Sequence, residues 1–187
     1  MNWTYSGRPG YDLHDALTWC CKQHPGCNYL EVGVDGGGFL ETVLREGEPL
    51  MAILFDMWDG HAGHGFTSFA HIEAITRKHR HTFFRTIEGD SKKTLPSFAA
   101  EEEGAMGFDL INIDGGHDFE TALSDLTHSW PLLRPGCFLV LDDAGHASYP
   151  DVKAALDLFL KGVTNCEIIP EAGGVLRNCV VLQKVRP

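Results

Sequence analysis

Two short apolar runs, each ending on a carboxylate, restrict most strongly how this chain can fold. Residues 108–113 run into Asp114, and residues 137–141 run into the pair Asp142-Asp143. Short runs that are apolar throughout are typical of parallel strands buried on both faces. If the two strands are neighbours, their carboxylates converge in one crevice, with His117 one turn away. Hard oxygen donors beside a titratable imidazole suggest a divalent cation and a general base.

The rest of the chain alternates between strand-like and helix-like segments. We predict helices at 11–24, 39–45, 66–80, 91–103, 118–130 and 149–161, and strands at 28–33, 50–55, 81–88, 108–113, 137–141, 165–169 and 176–185. Such alternation favours a parallel sheet with helices on both faces. The last two strands have no helix between them and should form an antiparallel hairpin at one edge. The predicted fold is therefore an α/β, Rossmann-like three-layer sandwich with a seven-stranded, mostly parallel sheet.

Length and composition limit the number of domains and the kinds of partner that this chain can have. With 187 residues, the chain is expected to form a single domain over 1–187, in which residues 1–26 make an N-terminal helix or lid. The net charge is −11, and the basic residues are scattered, which argues against a nucleic-acid partner. No signal peptide and no apolar run of about 20 residues is visible, so we expect a cytoplasmic protein without a membrane partner. The six cysteines lack zinc spacing and are interpreted as buried thiols in a reducing compartment.

A glycine-rich turn follows the first predicted strand. Glu31 stands at the end of that strand, just before Gly33, and Asp35 and residues 36–38 complete the turn. Glycines let a backbone come close to a ligand and aim amide N–H groups at it. The G-x-G-x-x-G spacing of nicotinamide dinucleotide sites is absent, and Glu31 suits a cationic or amine-bearing ligand better than a pyrophosphate. A glycine-rich turn that binds nothing stays open as an alternative.

Two more strand ends carry polar residues. Asp56 closes the second strand beside the glycine-rich turn, where a carboxylate can accept both hydroxyls of a ribose. Asp90 and Ser91 follow the third strand and are placed to flank an adenine. Either of them could instead cap the next helix.

The order of these residues resembles that of class I S-adenosylmethionine-dependent methyltransferases. The matching positions are Glu31-x-Gly33, Asp56, Gly89-Asp90, Asp114 and 133–136. Segments 113–120 and 133–143 are similar to a narrower group, the magnesium-dependent macrolide-sugar O-methyltransferases of the macrocin type. One departure is Asp35, which stands where the family usually has glycine.

The resemblance implies a complete set of site residues and ligands. S-adenosylmethionine would be bound by Glu31, Gly33, Asp35, Gly37, Asp56, Asp90, Ser91 and Asp114. Mg²⁺, or another divalent cation, would be held by Asp114, Asp142 and Asp143. His117 would be the catalytic base, and the methyl acceptor a hydroxyl of a small molecule such as a sugar or secondary metabolite. A homo-oligomer is compatible with this family.

Several alternatives remain at this point. Asp114 has a non-metal role in many methyltransferases that lack a metal, and His117 could be a helix-start residue that faces solvent. The loop 57–65, with His61 and His64, could line a substrate pocket, hold zinc or be a solvated connection. The competing functions are a methyltransferase-fold enzyme with other chemistry, such as the cephalosporin hydroxylase-like branch, and a non-catalytic nucleotide-binding module.

Overall fold

The computed structural model describes residues 11–58, 69–102, 107–170, 172 and 179–186. Helices and strands alternate along these residues until the last two strands, as predicted. The helices are α1 (Leu13–Gln23), α2 (Gly38–Glu46), α3 (Phe69–Thr76), α4 (Ser91–Glu102), α5 (Phe119–Leu132) and α6 (Pro150–Gly162). The strands are β1 (Asn28–Val32), β2 (Met51–Asp56), β3 (Phe83–Glu88), β4 (Phe108–Ile113), β5 (Leu133–Leu141), β6 (Cys166–Ile168) and β7 (Val180–Lys184).

All seven described strands form one sheet in the order β3-β2-β1-β4-β5-β7-β6. The first five are parallel, whereas β7 runs antiparallel to both β5 and β6 and lies between them. The predicted fold class is therefore confirmed. Ile113 of β4 pairs with Val32 of β1 on one side and with Leu141 of β5 on the other. Because these residues end their strands, the loops after β1, β4 and β5 start side by side at one edge.

Helices cover both faces of the sheet and create two separate apolar cores. One core packs α4, α5 and α6 against side chains such as Leu30, Ile111 and Leu139. The other packs α1, α2 and α3 against the alternate side chains, among them Tyr29, Leu110 and Val140. Successive residues of a strand point to opposite faces, so strands covered on both faces must be apolar at almost every position. That requirement explains the unbroken apolar runs in the sequence.

The junction between α5 and β5 differs from the prediction. The helix continues through Pro131 to Leu132, and the strand begins at once with Leu133, four residues earlier than expected. Lys184 reaches across from β7, and its Nζ donates to the carbonyl oxygens of Trp130 and Leu133, each at 2.8 Å. A lysine at this place satisfies carbonyls that a helix end leaves open. The contact lies between distant parts of the sequence, so no local pattern indicates it.

Three other predicted elements run partly beyond the described residues. The helix expected at 91–103 is observed as Ser91–Glu102, and residue 103 lies outside the described part. The helix expected at 66–80 is observed as Phe69–Thr76, and residues 66–68 lie outside the described part. The last strand, expected at 176–185, is observed as Val180–Lys184, and residues 176–178 likewise lie outside it.

The N-terminal helix is part of the core. Asp12 caps it by accepting from the backbone N–H of Asp15, whose carboxylate accepts in turn from the N–H of Asp12. The inner face of α1 is buried against α2 and includes Leu13 and Leu17. The helix therefore adds to the stability of the sheet face it covers.

The structure bears on two expectations drawn from composition. All six cysteines are free thiols, and five of them are buried, which agrees with their interpretation as small apolar residues. Within the described residues, no helix combines the length and the apolar character needed to span a bilayer.

Candidate active site

The glycine-rich turn is fixed by close contact between the ends of β1 and β4. Gly33 has φ +83°, and a Cβ at this position would overlap the carbonyl oxygen of Asp114 and lie 2.9 Å from the N of Gly115. Gly37, with φ +75°, is the N-cap residue of α2, and its Cβ would lie 2.8 Å from a methyl of Ile75. Both glycines are thus required by the packing of the protein itself. Their contact with a cofactor stays a prediction.

Asp56 holds the turn from the neighbouring strand. Its Oδ2 accepts hydrogen bonds from the backbone N–H groups of Val34, at 2.8 Å, and Asp35, at 3.0 Å. Its Oδ1 accepts from the N–H of Trp58 at 2.9 Å. Asp35 has φ +41°, so the residue where glycine is usual adopts a left-handed conformation, which aspartate tolerates better than most residues. The carboxylate of Asp56 therefore shapes the turn that it was predicted to flank.

Glu31 is a buried carboxylate at this edge. It is fully buried, and burial raises the pKa of its carboxyl to about 8. Asn112, its partner in the β1–β4 register, donates from Nδ2 to Glu31 Oε1 at 3.5 Å. Glu31 Oε2 has no geometrically aligned hydrogen-bond partner among the described residues, although the Tyr29 hydroxyl lies close enough to lower the pKa of the carboxyl. A buried acceptor left open in this way can take a donor from a ligand that enters beside the turn.

Asp90 has the capping role that the sequence left open. Its Oδ1 accepts from the backbone N–H of Lys92 at 3.0 Å, and its carbonyl accepts from the N–H of Thr94 at 3.0 Å. Ser91 is the first residue of α4. The structure thus gives Asp90 a local function at the start of the helix. A contact of Asp90 or Ser91 with an adenine stays a prediction.

The carboxyl ends of β4 and β5 bring together three possible metal ligands. One ligand atom each from Asp114, His117 and Asp143 lies within 4.8 Å of the other two. His117 Nε2 lies 3.1 Å from Asp143 Oδ2, but the two groups are not aligned as a hydrogen bond. Two ligand atoms that lie close together without a hydrogen bond between them can both be directed at one cation. The side chains of His117 and Asp143 are 33% and 14% exposed, so solvent reaches the group.

Asp142 does not belong to this group of three. It is buried, at 4% exposure, and its backbone N–H continues the β4–β5 ladder by donating to the carbonyl of Ile113 at 3.0 Å. Asp143 then turns away with φ +55°. The adjacent carboxylates of Asp142 and Asp143 therefore occupy different surroundings. The assignment of Asp142 as a metal ligand stays a prediction.

His117 stands between a glycine pair and a helix cap. Gly115 and Gly116 precede it, and Asp118 follows it as the N-cap of α5. The Asp118 carboxylate accepts from the N–H and the hydroxyl of Thr121, at 3.0 and 2.6 Å. The hydrogen bond from that hydroxyl lowers the pKa of Asp118. The cap fixes the C-terminal side of the loop that carries His117.

Sequence reasoning missed a buried carboxylate behind this loop. Asp125 of α5 is fully buried, and its Oδ2 would lie 3.1 Å from a Cβ on Gly115. Burial, together with the charges of Asp90 and Asp118, raises the pKa of Asp125 to about 7. The signal in the sequence was an aspartate on the apolar stripe of α5, three residues after Ala122 and one before Leu126.

Sequence reasoning also missed two aromatic side chains beside His117. Tyr149 stacks on its imidazole ring, and the ring of His146 also stacks on Tyr149. Both come from the segment between β5 and α6, about 30 positions away, so no local spacing points to them. The suggested pocket loop, with His61 and His64, lies outside the described residues from position 59 onward.

Comparisons with known proteins show the family of this chain. The sequence model of a family described as "Methyltransferase domain" matches residues 30–144, which include the glycine-rich turn, the β4 loop and Asp143. A search of curated proteins finds none that matches.

Solved structures share the fold at low sequence identity. The O-methyltransferase NovP is 20% identical, with a TM-score of 0.66 over 92% of this chain and 79% of that one. CalS11, a TDP-rhamnose 3'-O-methyltransferase of calicheamicin biosynthesis, is 21% identical, with a TM-score of 0.64 over 91% and 76%. MycE of the mycinamycin pathway, solved with Mg and SAH, is 20% identical, with a TM-score of 0.62 over 90% of this chain and 48% of that one.

The fold and the family match together define an S-adenosylmethionine-dependent methyltransferase. The chain belongs to the methyltransferase-domain family. This confirms the resemblance drawn from the order of strand-end residues.

Proposed function

We propose that this protein transfers the methyl group of S-adenosylmethionine to a hydroxyl of a small molecule, with the help of a divalent cation. The observation that carries the proposal is the meeting of Asp114, His117 and Asp143 at the ends of two adjoining parallel strands. Carboxylate oxygens suit Mg²⁺, and an imidazole at the same place suits proton transfer. Methyl transfer to a hydroxyl requires that this oxygen lose its proton.

Solved structures with a similar fold support oxygen as the methyl-accepting atom. NovP and CalS11 are O-methyltransferases, and CalS11 acts on TDP-rhamnose. MycE was solved with Mg and SAH. From these proteins and the site we propose a sugar or another hydroxylated secondary metabolite as the acceptor. Two neighbouring hydroxyls on that acceptor would let it approach the cation through both oxygens.

The residues of the β1 and β2 ends fit S-adenosylmethionine. Gly33 and Gly37 have no side chains that would fill the space beside the turn. Asp56 fixes the turn by accepting a hydrogen bond from the backbone N–H of Val34. The open Oε2 of Glu31 fits a cationic or amine-bearing ligand. When bound, this cofactor supplies a methyl group already activated by its sulfonium. We propose that Asp35, Asp90, Ser91 and Asp114 also line its site.

The donors at the β4 and β5 ends fit a hard divalent cation. Asp114 and Asp143 offer oxygen atoms within the group of three, and Asp142 follows directly on β5. Carboxylates collected at one place repel each other unless a positive charge neutralises them. A cation held by Asp114, Asp142 and Asp143 would lower the pKa of an acceptor hydroxyl.

His117 is proposed to take the proton from the acceptor. Its Nε2 faces Asp143, so the nitrogen lies on the side where an acceptor oxygen would meet the carboxylates. The Nε2 atom is itself buried, although 33% of the whole side chain is exposed. Asp114 and Asp143 would orient the acceptor, and the glycine-rich turn would orient the donor. Because the methyl group of the donor is already activated, the main contribution of the protein to the rate would be to align donor and acceptor.

The test is a screen of hydroxylated sugars and metabolites with methyl-labelled S-adenosylmethionine and Mg²⁺. The expected result is labelled product and an equal amount of S-adenosylhomocysteine, formed only when an acceptor is present. Product that forms without S-adenosylhomocysteine would favour the cephalosporin hydroxylase-like branch. Failure of the protein to bind S-adenosylhomocysteine in calorimetry would contradict the proposed cofactor site.

A further inference from the structure

Three aromatic rings form a continuous stack beside the carboxylates. The rings of His117 and Tyr149 have centroids 4.0 Å apart and planes within 14° of each other. The rings of Tyr149 and His146 follow at 5.0 Å and 29°. Tyr149 therefore contacts two imidazole rings, and one of them, His117, lies beside the carboxylates.

The turns after β5 place Tyr149 opposite His117. Three backbone hydrogen bonds follow one another along this segment, each from an N–H to the carbonyl oxygen three residues earlier. They run from His146 to Asp143, from Tyr149 to His146 and from Val152 to Tyr149, at 3.0, 3.0 and 3.1 Å. The N–H of Ser148 also donates to His146 Nδ1 at 3.2 Å. Pro150 then begins α6 directly after Tyr149. Because this segment is tied down at each turn, it offers a rigid surface for the imidazole.

The segment of His117 is fixed only on its C-terminal side, by the Asp118 cap of α5. Gly115 and Gly116, which precede it, impose little restriction on the backbone. The imidazole ring lies with Nε2 near Asp143 and with its face against Tyr149. Stacking of two aromatic rings at this separation favours one ring orientation over others.

We infer that Tyr149 is a positioning residue, whose ring holds the imidazole of His117 with Nε2 toward Asp143. This inference rests on the proposed role of His117 as the proton acceptor. It assigns the effect to the aromatic ring rather than to the phenol hydroxyl, because stacking needs only the ring. The β5–α6 segment thus supplies both Asp143 and the surface that orients the base.

The first experiment measures ring orientation and needs no acceptor. In protein labelled with ¹⁵N and ¹³C at histidine, the His117 ring protons, identified by their loss in His117→Gln, should be shifted upfield by the Tyr149 ring. Tyr149→Phe should keep that shift, and Tyr149→Leu should abolish it. Unchanged His117 signals in folded Tyr149→Leu would overturn the inference.

The second experiment measures turnover with an acceptor found in the screen. Tyr149→Leu should lower kcat on the order of ten- to hundredfold, with KM and S-adenosylhomocysteine affinity changed less than about threefold, because a misplaced group costs rate rather than binding. Tyr149→Phe should restore most of the turnover. The double variant His117→Ala/Tyr149→Leu should be no slower than His117→Ala alone. If the losses of turnover in the two single variants multiply in the double variant, Tyr149 acts independently of His117 and the inference is overturned.

The two proposals fail in different ways. If His117→Ala keeps normal turnover, the proposed base is wrong, whatever the ring signals show. If His117→Ala is slow and Tyr149→Leu is as fast as the unmodified protein, the base stands and the positioning role is wrong. His128→Gln serves as a control, because His128 bonds to Ser124 within α5 and lies outside the stack.

Discussion

The backbone of Gly33 lies directly against the carbonyl group of Asp114, and this contact joins the proposed cofactor side of the site to the proposed metal side. A Cβ on residue 33 would overlap that carbonyl. The two strands are held at this place by the hydrogen bond from the Asp114 N–H to the Val32 carbonyl, at 2.8 Å. Any change at Gly33 therefore displaces Asp114 as well as the glycine-rich turn.

The Gly33–Asp114 contact can be tested by substitution with alanine. Gly33→Ala should destabilise the protein by more than about 2 kcal/mol and weaken both S-adenosylhomocysteine and metal binding, because strain and overlap act together. Gly26→Ala is the matched control: Gly26 also has a positive φ, of +72°, but nothing lies within 4 Å of its Cβ position. It should cost about 1 kcal/mol and leave binding unchanged. Urea unfolding and calorimetry would measure both, and equal effects of the two substitutions would contradict a role for the contact.

Asp56→Ala should weaken S-adenosylhomocysteine binding by roughly 1–3 kcal/mol. The substitution removes a charged acceptor of three backbone N–H groups and of the proposed ribose hydrogen bonds. Asp157→Ala, which removes an exposed carboxylate that pairs with Lys153, is the control. Calorimetry measures the affinities. An affinity that stays within about twofold would remove Asp56 from the cofactor site and leave it as a residue that shapes the turn.

Activity should disappear in excess chelator and return when Mg²⁺ is added. Asp143→Asn should raise the Mg²⁺ concentration needed for half-maximal rate steeply, because Asp143 lies within the group of three possible ligands. Asp142→Asn should act in the same direction and more weakly, since Asp142 lies outside that group. Full activity in chelator would leave Asp114 as a cofactor or substrate contact.

His117→Ala should lower turnover about a hundredfold or more, the usual contribution of a general base. The affinity for S-adenosylhomocysteine should barely change, because the proposed cofactor side lies at the β1 and β2 ends, away from the imidazole. Steady-state rates and calorimetry on the same preparations check the two halves of this prediction. Near-normal turnover would mean that His117 is only a residue at the start of a helix.

Asp125 should make stability fall as the pH rises. Its pKa in the folded protein is raised from 3.8 to about 7, so the folded state holds the proton more tightly than the unfolded chain does. The resulting stabilisation is complete below about pH 4 and is lost as the pH rises through about 7. Asp125→Asn, which stays neutral, should therefore unfold with about the same free energy as the native protein at pH 4. At pH 8 it should be more stable, by on the order of 1–4 kcal/mol.

Urea unfolding at several pH values tests this prediction. Asp157→Asn is the control, because an exposed carboxylate should leave the difference from the native protein nearly independent of pH. If Asp125→Asn were less stable than the native protein at pH 8, the ionised carboxylate would be the form that the fold requires.

The sequence by itself determined the architecture and the edge at which the site lies. Short, mostly apolar runs such as 108–113 predict strands buried on both faces, and the polar residue after each run marks the carboxyl end. Parallel strands put all such ends at one edge, so Glu31, Asp56, Asp90, Asp114 and Asp143 could be assigned to one side of the sheet. The family resemblance rests on the same residues, and it was confirmed.

Only the tertiary structure decided which of these groups meet and what surrounds them. Asp142 and Asp143 are adjacent in sequence, but a left-handed backbone at Asp143 sends them into different environments, and local patterns do not predict that turn. Tyr149 meets His117, and Asp125 reaches Gly115, because helices and loops from distant positions pack onto the same edge. Sequence spacing describes positions along one element, whereas contacts between elements depend on the packing of the whole fold. The orientation of the base was therefore decided by the tertiary structure.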